Sequence, residues 1–451
     1  MFYGVRINYG IDNWQIFTRR DGAADVTLGG VWRLEAGAVR AGVASATPIV
    51  RVMRESDNST LLPWKAADKV EDDTWEITLR IPEGGLYRVE TCLDTVSAKT
   101  GEHWMFRGDI RTHIGVGDVF IIAGQSNAAG YGKGIAYDAP DMRVHVKRNS
   151  GRWDMATHPL NDSTDAYDCP NAPMSILGVS PFLSFGKRHA DATGCPVALI
   201  PTAQGGTPLK AWDPKQGGHL FRNMIEKAKR IGGGTAILWY QGCTDAISGA
   251  VESYADGFEN IVKTTRRILG FEIPFYTFQI NGYLAEGFDE NWGAIKEAQR
   301  QAARRLPGVY VLPTAGKDMS DDIHNGALAN VRLGEELADL VNRNVTAPDL
   351  ETAEYASDQL VLTFSGVRGK LFMRNQERYN HGFRVEDEEG TLEILRVTTE
   401  KNTVCLKTAR SIHGKAFVSY EFESVPAPYP IYDDETFLCV IPFYRVEIAP
   451  E

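Results

Sequence analysis

Two short stretches of this chain carry residue types that can do nucleophilic chemistry. The first is Gly124-Gln125-Ser126-Asn127, which directly follows the apolar run Val119–Ala123. A hydroxyl on a tight turn at the carboxyl end of a buried strand faces a cleft, and its own N–H is free to donate to an oxyanion. Gly130 and Gly132 are expected to keep the next segment open. The second stretch is Asp321-Asp322-Ile323-His324, after the run Val309–Pro313 and before the helix-patterned Gly326–Asn342. A carboxylate three residues before a histidine can reach back to Nδ1 and fix the tautomer, which leaves Nε2 as a base. Asp322 is the alternative orienter. Taken singly, the first stretch also fits an ordinary Asx or Ser turn, and the second a surface histidine near a helix start. Together they supply Ser126, His324 and Asp321 as nucleophile, base and orienter.

Two further loops follow apolar runs. Gln204-Gly205-Gly206-Thr207 comes after Val197–Thr202, and a backbone N–H with no side chain beside it suits an oxyanion hole or a turn of positive φ. Gln241-Gly242-Cys243-Thr244-Asp245 comes after Ala236–Tyr240. There the Gln241 amide can act as a third donor or as a strand-end cap. Cys243 is a second conceivable nucleophile, but it lacks the strand-to-tight-turn setting of Ser126 and reads as a small space filler. Trp212, Trp239 and Trp292 fit either a sugar-stacking cleft or a core, with Trp212 the best placed to line a site. His103, His113, His145, His158, His189, His219, His381 and His413 form no metal-spaced cluster, so no metal or organic cofactor is implied. Lys227–Arg230 reads as a solvated helix face.

Positioning these loops requires buried strands alternating with helices. The runs Val119–Ala123, Val197–Thr202, Ala236–Tyr240, Phe275–Ile280 and Val309–Pro313 supply the strands. Pro181–Ala190, His219–Arg230, Tyr254–Leu269, Asn291–Arg305 and Gly326–Asn342 supply the helices. That alternation predicts a parallel sheet between two helical layers, with reactive groups at the carboxyl ends of its strands. Before it, short strand-like runs such as Asp25–Leu28, Pro48–Met53, Trp75–Ile81 and Leu86–Leu93 are separated by Gly, Pro, Asp and Asn clusters. After it, Gln359–Phe364, Thr403–Lys407 and Ala416–Phe422 repeat that pattern. Both flanks read as β-sandwich-like modules. The expected division is a β-rich module at 1–115, an α/β domain at 116–345 and a second β-rich module at 346–451.

Composition narrows the partners. The 451 residues are 43% apolar and 24% charged, which is ordinary for a folded chain. The formal charge of −11 gives no basic footprint for nucleic acid. No uninterrupted apolar run approaches the length of a membrane span. Six cysteines without CxxC spacing read as free thiols of a reducing compartment, with Cys405–Cys439 the one pairing worth naming. Met1–Arg6 lacks a signal-peptide pattern, so the expected location is cytoplasmic, with a removed leader as the other option.

The motifs in combination resemble the SGNH/GDSL hydrolases. These motifs are GQSN after the first strand, a GGT loop ending in Trp212, "WYQG" with a downstream Asp, and a late DxxH. The chain more closely resembles their sialate O-acetylesterase branch, related to the acetylxylan esterases of carbohydrate esterase family 6. "GDVFIIAGQSN" leaving a β-rich region, and "HGFRVED", "VSYEF" and "IPFYR" near the end, fit the same branch. The resemblance implies a flavodoxin-like core and a serine carbohydrate O-acetylesterase. In that enzyme Ser126 attacks, His324 is the base and Asp321 its orienter. The Ser126 N–H, the Gly206 N–H and the Gln241 side chain form the oxyanion hole, and Gln125, Asn127 and Trp212 bind substrate. The implied partner is an acetylated carbohydrate, with self-association of the β modules open. Cys243 stands where the family often has Glu, and Asn325 where it often has Pro. A non-catalytic glycan-binding protein on this scaffold and an SGNH lipase or thioesterase are the competing readings.

Overall fold

The computed structural model describes residues 3–34, 42–356, 359–374 and 382–449. Its centre is one sheet of eleven strands. In chain order these are β1 (Ile16–Thr18), β2 (Val43–Arg54), β3 (Thr60–Ala66), β4 (Gly84–Ser97), β5 (His103–Gly124), β6 (Val144–Lys147), β7 (Trp153–Met155), β8 (Val197–Pro201), β9 (Ala236–Tyr240), β10 (Phe275–Phe278) and β11 (Val309–Leu312). The helices are α1 (Ser126–Ala129), α2 (Phe182–Thr193), α3 (His219–Arg230), α4 (Cys243–Ser248), α5 (Tyr254–Leu269), α6 (Asp289–Arg305) and α7 (Ala327–Arg343).

The site-bearing part of the sheet runs β7-β6-β8-β5-β9-β10-β11. Neighbours from β6 to β11 are parallel, and only β7 runs antiparallel at the edge. Its five expected strands therefore lie in the order second, first, third, fourth, fifth, with β6 added outside the second. Both faces are covered, which explains their unbroken apolar runs. Val119, Ile121 and Ala123 of β5 face Leu220, Met224, Phe258, Ile261 and Trp292 of α3, α5 and α6. Phe120 and Ile122 face Phe182, Phe185, Leu333 and Leu337 of α2 and α7. Each of the larger aliphatic and phenylalanine side chains contributes about 1.5–3 kcal/mol of burial, so a slip of one residue in β5 would exchange the two faces and is strongly opposed.

The amino-terminal strands are longer than the short runs expected. β5 spans His103–Gly124, pairs antiparallel with β4 in its first half and then enters the parallel core. Gly117, where the sequence pattern changes, lies in the middle of this strand. A Cβ there would sit 1.9 Å from the Pro196 carbonyl oxygen, so this glycine marks a close backbone approach rather than a turn. A four-stranded antiparallel sheet (Gly4–Tyr9, Ala23–Arg33, Thr74–Pro82, Lys69–Glu71) packs Val26, Leu28, Trp75 and Ile77 against Val50, Val52, Val89 and Ile114 of the large sheet. At the other end of the chain, two four-stranded sheets share a core that includes Leu362, Phe364, Leu406, Val385, Val418 and Phe443. They dock on α6 through Arg300, whose Nε donates to Asp349 at 2.5 Å, and Lys296, whose amine donates to the Glu421 carbonyl at 2.6 Å. The six cysteines are free, so the Cys405–Cys439 pairing does not form. His381 lies outside the described residues.

At the amino end of the core half of β5, Asp118 ties the two halves of the molecule. Its carboxylate accepts from His189 Nε2 of α2 at 2.8 Å and from Arg19 Nε and Nη2 at 3.0 and 2.8 Å. Burial opposes the charge, but these partners outweigh it and hold the carboxyl below its ordinary range. A folded-state pKa below the unfolded value means this stabilisation is complete at neutral pH and is lost as pH falls below about 4. Asp118→Ala should therefore cost about 3 kcal/mol at pH 7, since it strands a buried partner. Thermal unfolding at pH 7 and at about pH 3 should show the gap between variant and wild type shrinking in acid.

Candidate functional site

The carboxyl ends of the parallel strands converge on one rim. β5 ends in Gly124, whose φ is +128° and where a Cβ would lie 2.2 Å from the Tyr240 carbonyl oxygen, so only glycine fits this turn. Gln125 is extended and starts the single-turn helix α1, which puts Ser126 at its first position. N–H groups in a first helical turn have no intrahelical acceptor. Ser126 is 6% exposed.

The late DxxH loop reaches the same place. Asp321 Oδ1 and Oδ2 both lie 2.9 Å from His324 Nδ1, and Oδ1 also accepts from the backbone N–H groups of Ile323 and His324 at 3.1 and 2.8 Å. Partial burial works against the Asp321 charge. The bonds from His324 and the two N–H groups prevail and hold the carboxyl at about 2. Asp322 is exposed and contributes only its carbonyl, which accepts from Leu284 N–H. The orienting contact therefore belongs to Asp321. The Tyr131 ring stacks on the His324 ring with centroids 5.3 Å apart.

One side chain joins the two loops. Asn127 Oδ1 accepts from the N–H of Asn325 at 3.1 Å, and its Nδ2 donates to the Ile323 carbonyl at 3.2 Å and to Asn281 Oδ1 at 3.0 Å. Ile323 and Asn325 flank His324, and Asn127 follows Ser126, so the staple brings the hydroxyl turn and the imidazole loop together. Asn127 is fully buried and Gln125 nearly so, with Gln125 Oε1 accepting from the N–H groups of Gly242 and Thr244. Both were expected to bind substrate. The fold instead uses the Asn127 amide and Gln125 Oε1 to hold loops.

The remaining expectations divide. Gly206 is exposed on its loop, with nothing within 4 Å of where a side chain would be. Gln241 is fully buried, and its Nε2 donates to the Thr207 carbonyl at 3.2 Å and to Asp245 at 2.5 Å. Both amide hydrogens are thus engaged, and the side chain cannot serve an oxyanion without releasing one partner. Burial pushes the Asp245 carboxyl up, and it also accepts from the Leu209 N–H, which ties the GGT loop to the QG turn. Trp212 has no exposed surface and packs edge-on against Trp239, with centroids 5.2 Å apart, so it is core rather than a cleft wall. Trp239 and Trp292 are equally buried. Gly130 and Gly132 do not open their segment. Gly130 O accepts from Gly178 N–H, Gly132 pairs with Val179, and Tyr131 between them is buried. Tyr131 and Asn281 carry no local motif and are visible only once the chain is folded, while Asn325, noted in the sequence only as a departure from the family pattern, gains its role from the Asn127 contact. Among the described residues, no group of three His, Cys, Asp or Glu side chains is placed to hold a metal ion.

The family described as carbohydrate esterase, sialic acid-specific acetylesterase matches residues 116–343, just over half of the chain. The chain belongs to this family and is a carboxylic ester hydrolase of the carbohydrate-esterase class. A probable carbohydrate esterase of Arabidopsis thaliana is 28% identical over 259 residues, which cover 51% of this chain and 92% of that protein. The fold as a whole is similar to a carbohydrate acetylesterase from Xanthomonas citri. The TM-score is 0.67 at 19% identity, over 97% of this chain and 98% of that one.

Cys243 is fully buried at the start of α4, where desolvation pushes its thiol up to about 12. A thiol so far above neutrality is a poor nucleophile. Cys243→Ala should keep most of the ester turnover, and Cys243 should resist iodoacetamide in the native protein at pH 7 while reacting in denaturant. Rapid native labelling coupled to loss of activity would refute this.

Proposed function

We propose that this chain is a serine carbohydrate O-acetylesterase in which Ser126 carries the acetyl group. The observation that supports the proposal is the Asn127 staple, which ties the turn carrying Ser126 to the residues on either side of a histidine that Asp321 orients. His324 Nε2 takes the Ser126 proton as Oγ attacks the acetyl carbonyl. The tetrahedral oxyanion is received by the Ser126 and Gly206 N–H groups, while Gln241 braces the GGT loop. His324 then protonates the departing sugar oxygen, and the acetyl group stays on Ser126. Water, deprotonated by the same histidine, attacks the acetyl-enzyme, and acetate leaves as Ser126 regains its proton. Asp321 keeps the Nδ1 proton in place and, held at about 2, remains ionised across any ordinary assay range.

The substrate is an acetylated carbohydrate, in keeping with the family description. The β8-β5-β9-β10-β11 order supports a flavodoxin-like layout of the catalytic domain. We assign that domain to 116–345, between β-rich modules at 1–115 and 346–451. β5 spans the first boundary, so the amino-terminal module and the catalytic domain share one sheet.

Ser126→Ala and His324→Ala should each reduce acetate release by about a million-fold. Asp321→Asn, which keeps the shape but loses the charge, should cost about 100- to 10,000-fold. These losses should be measured on p-nitrophenyl acetate and on a panel of acetylated glycans. With p-nitrophenyl octanoate, wild-type turnover should be slower than with the acetate. Faster octanoate cleavage, or an active Ser126→Ala, would overturn the proposal.

A further inference from the structure

Lys227 lies on α3, within a run that reads as solvated, yet only its neighbours Lys229 and Arg230 are exposed. The Lys227 amine turns inward and donates to Asn149 Oδ1 at 2.7 Å, to Asn171 Oδ1 at 3.1 Å and to the Pro201 carbonyl at 2.8 Å. An ammonium can only donate, so it obliges both asparagines to present their oxygens to it. Their amide nitrogens then point to Asn161, whose Oδ1 accepts from Asn149 and Asn171 at 2.9 Å each. Asn161 Nδ2 is left to donate to the Ala203 carbonyl at 3.1 Å. Asn161 and Asn171 have almost no exposed surface.

The place of this cluster gives it a purpose. The outer edge of β8 pairs with β6 only through Val197, Ala198 and Leu199. Beyond Leu199 its carbonyls have no neighbouring strand, and buried carbonyls without partners are costly. Lys227 and Asn161 take the strand's place at Pro201 and Ala203. The inner edge is held by β5, through Thr202 N–H to the Ile122 carbonyl and Gln204 N–H to the Gly124 carbonyl. Alternate peptide groups from Pro201 to Gln204 are therefore fixed from both sides, immediately before Gly205 and Gly206.

We propose that Lys227, acting through Asn149, Asn161 and Asn171, is a positioning residue that sets the Gly206 N–H for the oxyanion. The inference rests on the oxyanion role given to Gly206 above. Lys227 touches no reacting atom. Its effect is confined to the transition state, where a loop displaced by a fraction of an ångström loses its bond to the developing charge.

Lys227→Met keeps most of the side-chain volume and removes all three donors. It should lower kcat and kcat/KM on p-nitrophenyl acetate together by about 10- to 100-fold, leaving KM within about twofold. Asn161→Ala, which removes the clasp on Ala203 and the acceptor shared by Asn149 and Asn171 but leaves the Lys227 amine on Pro201, should show the same pattern to a smaller degree. It also decides the matter if the lysine variant does not fold. Circular dichroism and the thermal midpoint report folding separately. A folded variant with wild-type kcat, or one whose whole loss lies in KM, would overturn the assignment. If Ser126→Ala is inactive while both network variants are unaffected, only the positioning role fails. If Ser126→Ala is active, the serine mechanism itself fails.

Discussion

The site depends on one buried asparagine. Asn127 has an acceptor and two donors, and the fold uses all three on groups far away in sequence: Asn325, Ile323 and Asn281. Aspartate would lack the donors, and an apolar residue would leave the Asn325 N–H unpaired and the Ile323 carbonyl with Asn281 Nδ2 alone, at 2.7 Å. Unpaired groups of this kind cost about 1–3 kcal/mol each when buried. Because Asn127 adjoins Ser126, and its partners bracket His324, satisfying these hydrogen bonds is the same event as joining the Ser126 turn to the His324 loop.

The same device recurs around the rim. Parallel strands end at a common level, and the loops beyond them have lost their ladder partners. Gln125 closes the QG turn, Asp245 joins that turn to Leu209, Asn325 Nδ2 donates to the Tyr240 hydroxyl at 3.0 Å, and Lys227 with Asn161 holds the GGT loop. The helices beneath supply apolar burial on both faces of the sheet, which fixes its register. The polar side chains above convert that register into loop positions. At the opposite end of β5, Asp118 clamps the continuous sheet to Arg19 and His189.

Much of this was legible in the sequence, for physical reasons. The five core strands are buried on both faces and so read as unbroken apolar runs. α7 was expected over Gly326–Asn342 and spans Ala327–Arg343. GQSN and DxxH could be found because each packs its chemistry into four residues. What escaped was non-local or ambiguous. β5 is interrupted by Gly108, Gly115 and Gly117, which look like punctuation but mark close approaches of other chain segments. β6 and β7 are too short to stand out. The staple roles of Gln125 and Asn127, the engaged amide of Gln241 and the inward turn of Lys227 depend on partners that no local pattern announces. Trp212 could not be sorted between cleft and core because its residue type suits both.

The most direct measurement is covalent trapping. The purified protein is treated with an alkyl fluorophosphonate, digested and mapped by mass spectrometry. One adduct is expected, on Ser126, which forms slowly or not at all when His324 is replaced by alanine and is suppressed by an acetylated glycan that the enzyme turns over. An adduct on a different residue, or equal labelling of Ser126 without His324, would contradict it.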